Sequence, residues 1–199
     1  KLAAAALCRL FLNTARRFPY PFAPELSRAL DVSLTSVTSI IAASQATGFL
    51  GLFSGPAADR FGYTAMMLIG LGLLSAGMLS AGLLPTYGVV FFGIVIAGLG
   101  KSIFDPSIQA YIGRKIPFER RGMVVGLMEI SWAASTLVGI PFVGILMASW
   151  GWRSPFFALA ILGLLGIFTL AILSRKEKES PPVGFSGTGF QELLKGLFR

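Results

Sequence analysis

Gly55-Pro56-Ala57-Ala58-Asp59-Arg60-Phe61-Gly62 is a short polar interruption between two long apolar stretches, residues 35–57 and 63–84. Each stretch, wound as a helix at 1.5 Å per residue, reaches across a hydrocarbon core of about 30 Å. An acid and a base side by side with a glycine at each end mark a tight, solvated turn, so the two helices must run antiparallel. Working outward, the same pattern repeats. Apolar spans are expected at residues 2–30, 35–57, 63–84, 87–112, 122–149 and 154–173, with short connections. The first is broken late by Pro19, Pro21 and Pro24, and Pro106 and Pro141 lie inside the fourth and fifth.

Composition agrees. Of 199 residues, 54% are hydrophobic and 13% charged, with a mean hydropathy of +0.75; soluble domains carry about 25% charged residues. The net charge of +8 does not indicate nucleic acid, because the Lys and Arg side chains cluster in alternate connections instead of on one solvated patch. One side of the bundle holds only Arg28 and Arg153. The other holds Arg60, Arg114, Lys115, Arg120, Arg121, Arg175, Lys176 and Lys178. The positive-inside rule then places both ends of this stretch in the cytoplasm, with the chain in a cell membrane. With no histidine and a single cysteine, Cys8, the usual zinc ligand sets, internal disulfides and histidine-based catalysis are excluded. No phosphate-binding glycine loop stands in a strand–helix context. Neither an enzyme nor a resident cofactor or metal is expected.

Ionisable side chains inside a span cost at least about 2.5–3.5 kcal/mol each at the bilayer centre and require a reason. Span 1 carries Arg9, Asn13, Arg16, Arg17 and Tyr20 at helical spacing, and span 4 carries Gly98, Lys101, Asp105 and Gln109. Gln45 lies mid-span in span 2 and Glu129 about two turns into span 5; the interiors of spans 3 and 6 hold nothing ionisable. Spans 1, 2, 4 and 5 therefore have something polar to face. Two readings stand side by side: ion pairing within the bundle (Lys101 with Asp105, Arg9 with Asp105 or Glu129), and lining of a water-accessible cavity. The cations outnumber the acids by two, which favours an anionic small-molecule substrate or pairing with acids outside this stretch.

Span ends also hint at internal symmetry. Gly55 to Gly62-Tyr63 and Gly144 to Gly151-Trp152 each place two glycines seven residues apart, the second flanked by aromatics. Two copies of a three-helix unit, each with an odd number of helices, must be inverted relative to one another. The expected fold is all-α and polytopic: a six-helix transmembrane bundle over residues 1–174, built of two inverted three-helix repeats. A charged, Pro/Gly/Ser-rich cytoplasmic linker at 175–189 would follow. Residues 190–199 read as an amphipathic helix, or as the approach to a seventh span.

The stretch Gly55-Pro-Ala-Ala-Asp59-Arg60-Phe-Gly62 resembles the loop 2–3 signature of the major facilitator superfamily, with Tyr63-Thr64 where that family usually has two basic residues. Tyr20 to Pro24, Pro106 to Gly122 and Trp152-Arg153 with Phe156-Phe157 resemble the matching stretches of its efflux-permease-like members. The resemblance covers one six-helix half of a twelve-helix transporter. It implies alternating access, a second six-helix half (further along the same protein or another chain), and a cavity lined by spans 1 and 4. Asn13, Arg16, Arg17, Tyr20, Gln45, Lys101, Asp105 and Gln109 are the candidate cavity residues; coupling to an ion, most simply a proton, would fall to Asp105 or Glu129. Gly55, Asp59, Arg60 and Gly62 form the conformational switch, Asp59 facing a helix N-terminus of the other half and Arg60 joining its charge network. The alternative is a non-transporting membrane scaffold or receptor with the same bundle.

Overall fold

The computed structural model describes residues 2–175, and among them there is helix and no strand. Arg175, where the linker is expected to begin, is the last residue of the final described helix; the rest of that stretch, 176–189, and the terminal amphipathic helix at 190–199 lie outside the described residues. A helix satisfies every backbone group within one segment, which is what a lipid-immersed chain requires. Span 1 is α1 (Leu2–Arg17) and α2 (Ala23–Leu30); span 2 is α3 (Leu34–Ala46), a 3₁₀ turn (Thr47–Leu50) and α4 (Gly51–Phe61). Span 3 is α5 (Tyr63–Leu83) and span 4 is α6 (Tyr87–Lys115). Span 5 is α7 (Phe118–Ala134), a π turn (Ser135–Gly139) and α8 (Ile140–Trp150), and span 6 is α9 (Ser154–Arg175).

Five of these spans are long and apolar enough to cross a membrane: Leu34–Gly55, Tyr63–Leu83, Tyr87–Lys115, Phe118–Trp150 and Ser154–Ser174. The first falls short because α1 has 16 residues and three arginines, and the Pro19–Pro21 segment ends it. It holds its place in the bundle by packing: Ala5, Cys8, Leu12, Ala15 and Phe18 are buried, and Phe18 meets Phe156 of α9 edge-on at 5.3 Å. Several boundaries move outward from their expected places. Span 2 does not stop at Gly55-Pro56 but runs to Phe61, and span 4 reaches Lys115 instead of residue 112. Span 5 starts at Phe118 instead of residue 122. One missing proline hydrogen bond costs less than an early end would, because ending early would leave several carbonyls unpaired.

Glycines set the closest contacts. On the facing sides of α5 and α6, Gly70 meets Gly100 and Gly77 meets Gly93, antiparallel. A Cβ on Gly70 would lie 2.6 Å from the Gly100 carbonyl oxygen, and one on Gly93 2.5 Å from that of Gly77. Small residues let the backbones approach this closely. Gly166 likewise admits the Cys8 Sγ, where a Cβ would lie 2.8 Å away. With Met67, Leu71, Leu74 and Met78 fully buried, span 3 is packed more deeply than a purely lipid-facing helix. Span 6, whose interior holds nothing ionisable, has lipid-side character, exposing Ile161, Leu164, Leu165, Phe168 and Ile172.

The repeat acquires a geometric counterpart. Gly62 and Gly151 both have positive φ (91° and 83°) and make the same break, between spans 2 and 3 and between spans 5 and 6. They are 89 residues apart, as are Gly55 and Gly144. The same offset carries the 3₁₀ turn at Thr47–Leu50 onto residues 136–139, inside the π turn at Ser135–Gly139. Local chemistry produces both distortions. Thr47 Oγ1 donates to the Ser44 carbonyl oxygen at 2.6 Å, competing with the helical ladder. Pro141 has no N–H for the carbonyl one turn earlier.

Substituting Gly93 with Val should push α5 and α6 apart and lower stability by about 1–3 kcal/mol. Gly72→Ala, whose Cβ would meet nothing within 4 Å, should be neutral or stabilising by up to about 1 kcal/mol. Thermal unfolding of the purified protein in detergent reads both, and equal effects would contradict this packing account.

Candidate functional site

The polar residues of spans 1, 4 and 5 converge on one guanidinium. Arg9, almost wholly buried, donates from Nε to Asp105 Oδ1 at 3.2 Å. Its Nη1 donates to Glu129 Oε1 at 3.0 Å and to the Met128 carbonyl oxygen at 2.8 Å. The second Asp105 oxygen accepts from Lys101 Nζ, one helical turn earlier on α6. Two cations and two carboxylates thus form a chain, Lys101–Asp105–Arg9–Glu129, that is neutral as a whole. Of the two acids, Glu129 is the open one: its side chain is 55% exposed, against 26% for Asp105. Counting from the basic end of the bundle, Arg9, Asp105 and Glu129 lie about 10–17 Å along their helices, so their depths match.

Arg16 and Arg17 sit two turns further along α1 and separate. Successive helical residues point about 100° apart, and these two turn to different spans. Arg16 faces span 2, donating from Nε to Gln45 Oε1 at 2.7 Å. Its Nη2 donates to the carbonyl oxygens of Gln45 at 3.0 Å and Ser44 at 3.3 Å. Gln45 Nε2 in turn donates to the Tyr20 hydroxyl. Arg17 faces span 5, with Nη1 on Thr136 Oγ1 and its guanidinium 3.9 Å from the centroid of the Trp132 ring, close enough for a cation–π contact. Neither arginine has a carboxylate partner among the described residues. The surplus positive charge inferred from composition therefore resides on Arg16 and Arg17.

Two further cavity candidates differ from the rest. Asn13, between Arg9 and the arginine pair on the same helical face, is 1% exposed and its Nδ2 has no hydrogen-bond partner. An unsatisfied buried donor costs about 1–3 kcal/mol. Gln109 is exposed, one turn from Asp105 toward the basic end. Gly98 serves packing: a Cβ there would lie 2.6 Å from Ser44 Oγ, so its absence lets span 2 close on span 4.

At the basic end, Asp59 is tied to span 4 and not to its neighbour Arg60. Asp59 Oδ1 is 3.3 Å from Arg114 Nη2 and accepts from the Tyr63 hydroxyl at 2.6 Å. The Arg114 guanidinium lies 5.5 Å from the Tyr63 ring centroid. Arg60 sits over the Phe61 ring at 5.5 Å instead. Gly62, at φ 91°, supplies the turn that brings Tyr63 back to Asp59. Gly55 has nothing within 4 Å of where a Cβ would stand. At the opposite end, Arg153 donates from Nε and Nη2 to the Gly82 carbonyl oxygen at 2.9 and 2.6 Å, capping the C-terminus of α5.

Sequence reasoning missed Trp132, Thr136 and the Ser44 and Met128 carbonyls as partners of the arginines. Trp132, half exposed in the middle of a span, could have signalled its role by lying on the same face as Glu129, three residues earlier.

Comparison with known proteins fits this geometry. A family model described as Major Facilitator Superfamily matches residues 5–199. An uncharacterised MFS-type transporter of Mycobacterium tuberculosis is 32% identical over 152 residues, 73% of this chain and 26% of that protein. The vesicular acetylcholine transporter of Homo sapiens is 35% identical over 140 residues, 66% of this chain and 26% of that protein. Among solved structures, the inward-open xylose transporter XylE from E. coli superposes with a TM-score of 0.75 at 17% identity, covering 90% of this chain and 48% of that one. A peptide transporter POT in complex with sulfate also gives 0.75, at 16% identity. The chain thus spans about a quarter of the length of these curated relatives and about half of the solved transporter. A bundle of apolar helices with its charges gathered on spans 1, 4 and 5 and this family match lead to one assignment: the chain is a membrane protein that belongs to the major facilitator superfamily.

Proposed function

We propose that this chain is the N-terminal half of a secondary active transporter that carries a small anionic solute by alternating access, coupled to protons. The observation that carries the anionic reading is the closed, neutral chain Lys101–Asp105–Arg9–Glu129, which leaves Arg16 and Arg17 held only by neutral groups. An anion entering between spans 1, 2, 4 and 5 would find two guanidiniums whose present partners are weaker than a carboxylate or phosphate oxygen. A cation such as acetylcholine, which the vesicular relatives are named for, would find both acids already neutralised.

Proton coupling falls to the same chain. Glu129 is its exposed terminus, and protonating it would take one charged acceptor from Arg9, loosening the tie between spans 1 and 5. Asp105, shared by Arg9 and Lys101, would then carry both cations alone. The second six-helix half would cover the apolar faces of spans 2 and 5, where Phe49, Leu52, Phe53, Leu137 and Val138 stand exposed. Asp59, oriented by Tyr63 and Arg114, would face a helix N-terminus of that half and favour the outward-facing state, with Gly55, Arg60 and Gly62 shaping its loop. The basic end would be cytoplasmic and the host bilayer a cell membrane.

Reconstituted full-length protein should accumulate an anionic solute when an inward proton gradient is imposed, and anions should inhibit more strongly than cations. Flux equal to that of empty vesicles would return the chain to the scaffold or receptor reading. Glu129→Gln should reduce gradient-driven accumulation at least tenfold while leaving solute exchange at equal pH within about twofold, since a tenfold rate change corresponds to about 1.4 kcal/mol. Equal loss of both activities would show that Glu129 serves the fold and not the coupling.

A further inference from the structure

Arg16 and Arg17 do more than supply positive charge: each holds a different span at or just beside its distorted turn. Arg16 holds the Ser44 and Gln45 carbonyls, immediately before the 3₁₀ turn at Thr47–Leu50. A Cβ on Gly48 would lie only 3.4 Å from its Nη2. Arg17 holds Thr136, inside the π turn at Ser135–Gly139, and covers Trp132 one turn before. The 89-residue repeat offset carries Thr47 onto Thr136, so two adjacent side chains clamp symmetry-equivalent turns of the two repeats. Breaks in the regular ladder are where a helix bends most cheaply. Gln45, Gly48, Trp132 and Thr136 are all exposed, so this face is open to a ligand.

We infer that Arg16 and Arg17 form a two-point site for a dianionic organic ligand, such as a dicarboxylate or a phosphorylated carboxylate, whose binding releases the distorted turns of spans 2 and 5 together. The inference rests on the anionic reading above and deepens it. The surplus of two positive charges matches a ligand of two negative charges. The divergence of consecutive helical side chains favours one anionic group on each arginine over a single oxyanion clasped by both. Every present partner is a carbonyl, an amide, a hydroxyl or a ring face, and an anionic oxygen makes the stronger bond to a guanidinium. The arginine contacts at and beside the turns are therefore the ones a dianion would replace. Asn13, three residues before Arg16 and four before Arg17 with its buried Nδ2 unpaired, lies on the same face and offers a further donor to a ligand oxygen reaching a turn deeper.

Trp132 is a native reporter, because losing the Arg17 guanidinium from its ring alters its emission. In full-length protein in lipid nanodiscs, the Trp132-dependent signal is wild-type fluorescence minus that of Trp132→Phe. It would be titrated at constant ionic strength with succinate, phosphoglycolate, the monoanion succinamate and choline. A saturable change is expected with a dianion at least tenfold tighter than with succinamate and none with choline. Arg16→Gln should abolish that preference although Arg17 and Trp132 are intact, and Arg28→Gln, at an exposed arginine paired with Glu25, should retain it. If dianions are transported or inhibit transport yet leave Trp132 unmoved, or bind no better than the monoanion, the two-point release is wrong and the anionic reading survives. If no anion affects either fluorescence or flux while choline does, both are wrong.

Discussion

A guanidinium inside a bilayer must find acceptors, and Arg9 finds three. They lie on two other helices: Asp105 on α6, and Glu129 with the Met128 carbonyl on α7. That requirement fixes the rotation and depth of span 1 against spans 4 and 5, since sliding any of them by a turn (about 5.4 Å) would leave an uncompensated charge. Removing one partner of such a buried pair is strongly destabilising, although the assembled pair gains little over well-packed apolar residues. Arg9 is thus a device for specifying one arrangement more than for adding stability, and the site inherits its geometry. Because the chain from Lys101 to Glu129 closes neutral, the positive charge left over inside the described spans lies on Arg16 and Arg17.

The bundle has two kinds of contact, and they divide its spans. Between spans 3, 4 and 6, glycines at Gly70, Gly77, Gly93, Gly100 and Gly163 bring backbones and small side chains into close contact, a fit that tolerates little change. Spans 2 and 5 have instead irregular turns tied by long polar side chains. Polar ties of this kind exchange partners without opening a void. On this division, span 4 presents Lys101 and Asp105 from the closely packed side of the bundle, and the irregular turns fall on spans 2 and 5.

Much of this was legible from residue types and spacing. Helical repeats in a lipid setting leave one backbone solution, so the all-α bundle followed from hydropathy. The pairings of Lys101 with Asp105 and of Arg9 with Asp105 or Glu129 were one of two readings that helical spacing and matched depth left open; Arg9 in fact meets both acids. Three things were hidden. Arg16, Arg17 and Tyr20 share a stripe on a helical wheel, but a stripe does not reveal that adjacent long side chains diverge to different neighbours, nor that α1 ends at Arg17, leaving Tyr20 in the following turn. Asp59 and Arg60 are adjacent in sequence, yet Asp59 pairs with Arg114, 55 positions away, because helix geometry turns neighbours apart and Tyr63 pins the carboxylate toward span 4. The distorted turns were invisible too. Pro141 signalled a disturbance in span 5, but only backbone geometry shows that span 2 carries its counterpart at the equivalent position.

Whether Arg9 binds spans 1, 4 and 5 as one charge chain is answered by a double-mutant cycle. Arg9→Met and Asp105→Leu would be measured singly and together for unfolding free energy in the same detergent. The double variant should be more stable than the sum of the single losses implies, by a coupling of about 1–3 kcal/mol, since contacting residues couple in the range of about 0.5–3 kcal/mol. Additivity within about 0.5 kcal/mol would contradict it, leaving Arg9 and Asp105 as neighbours that do not depend on one another.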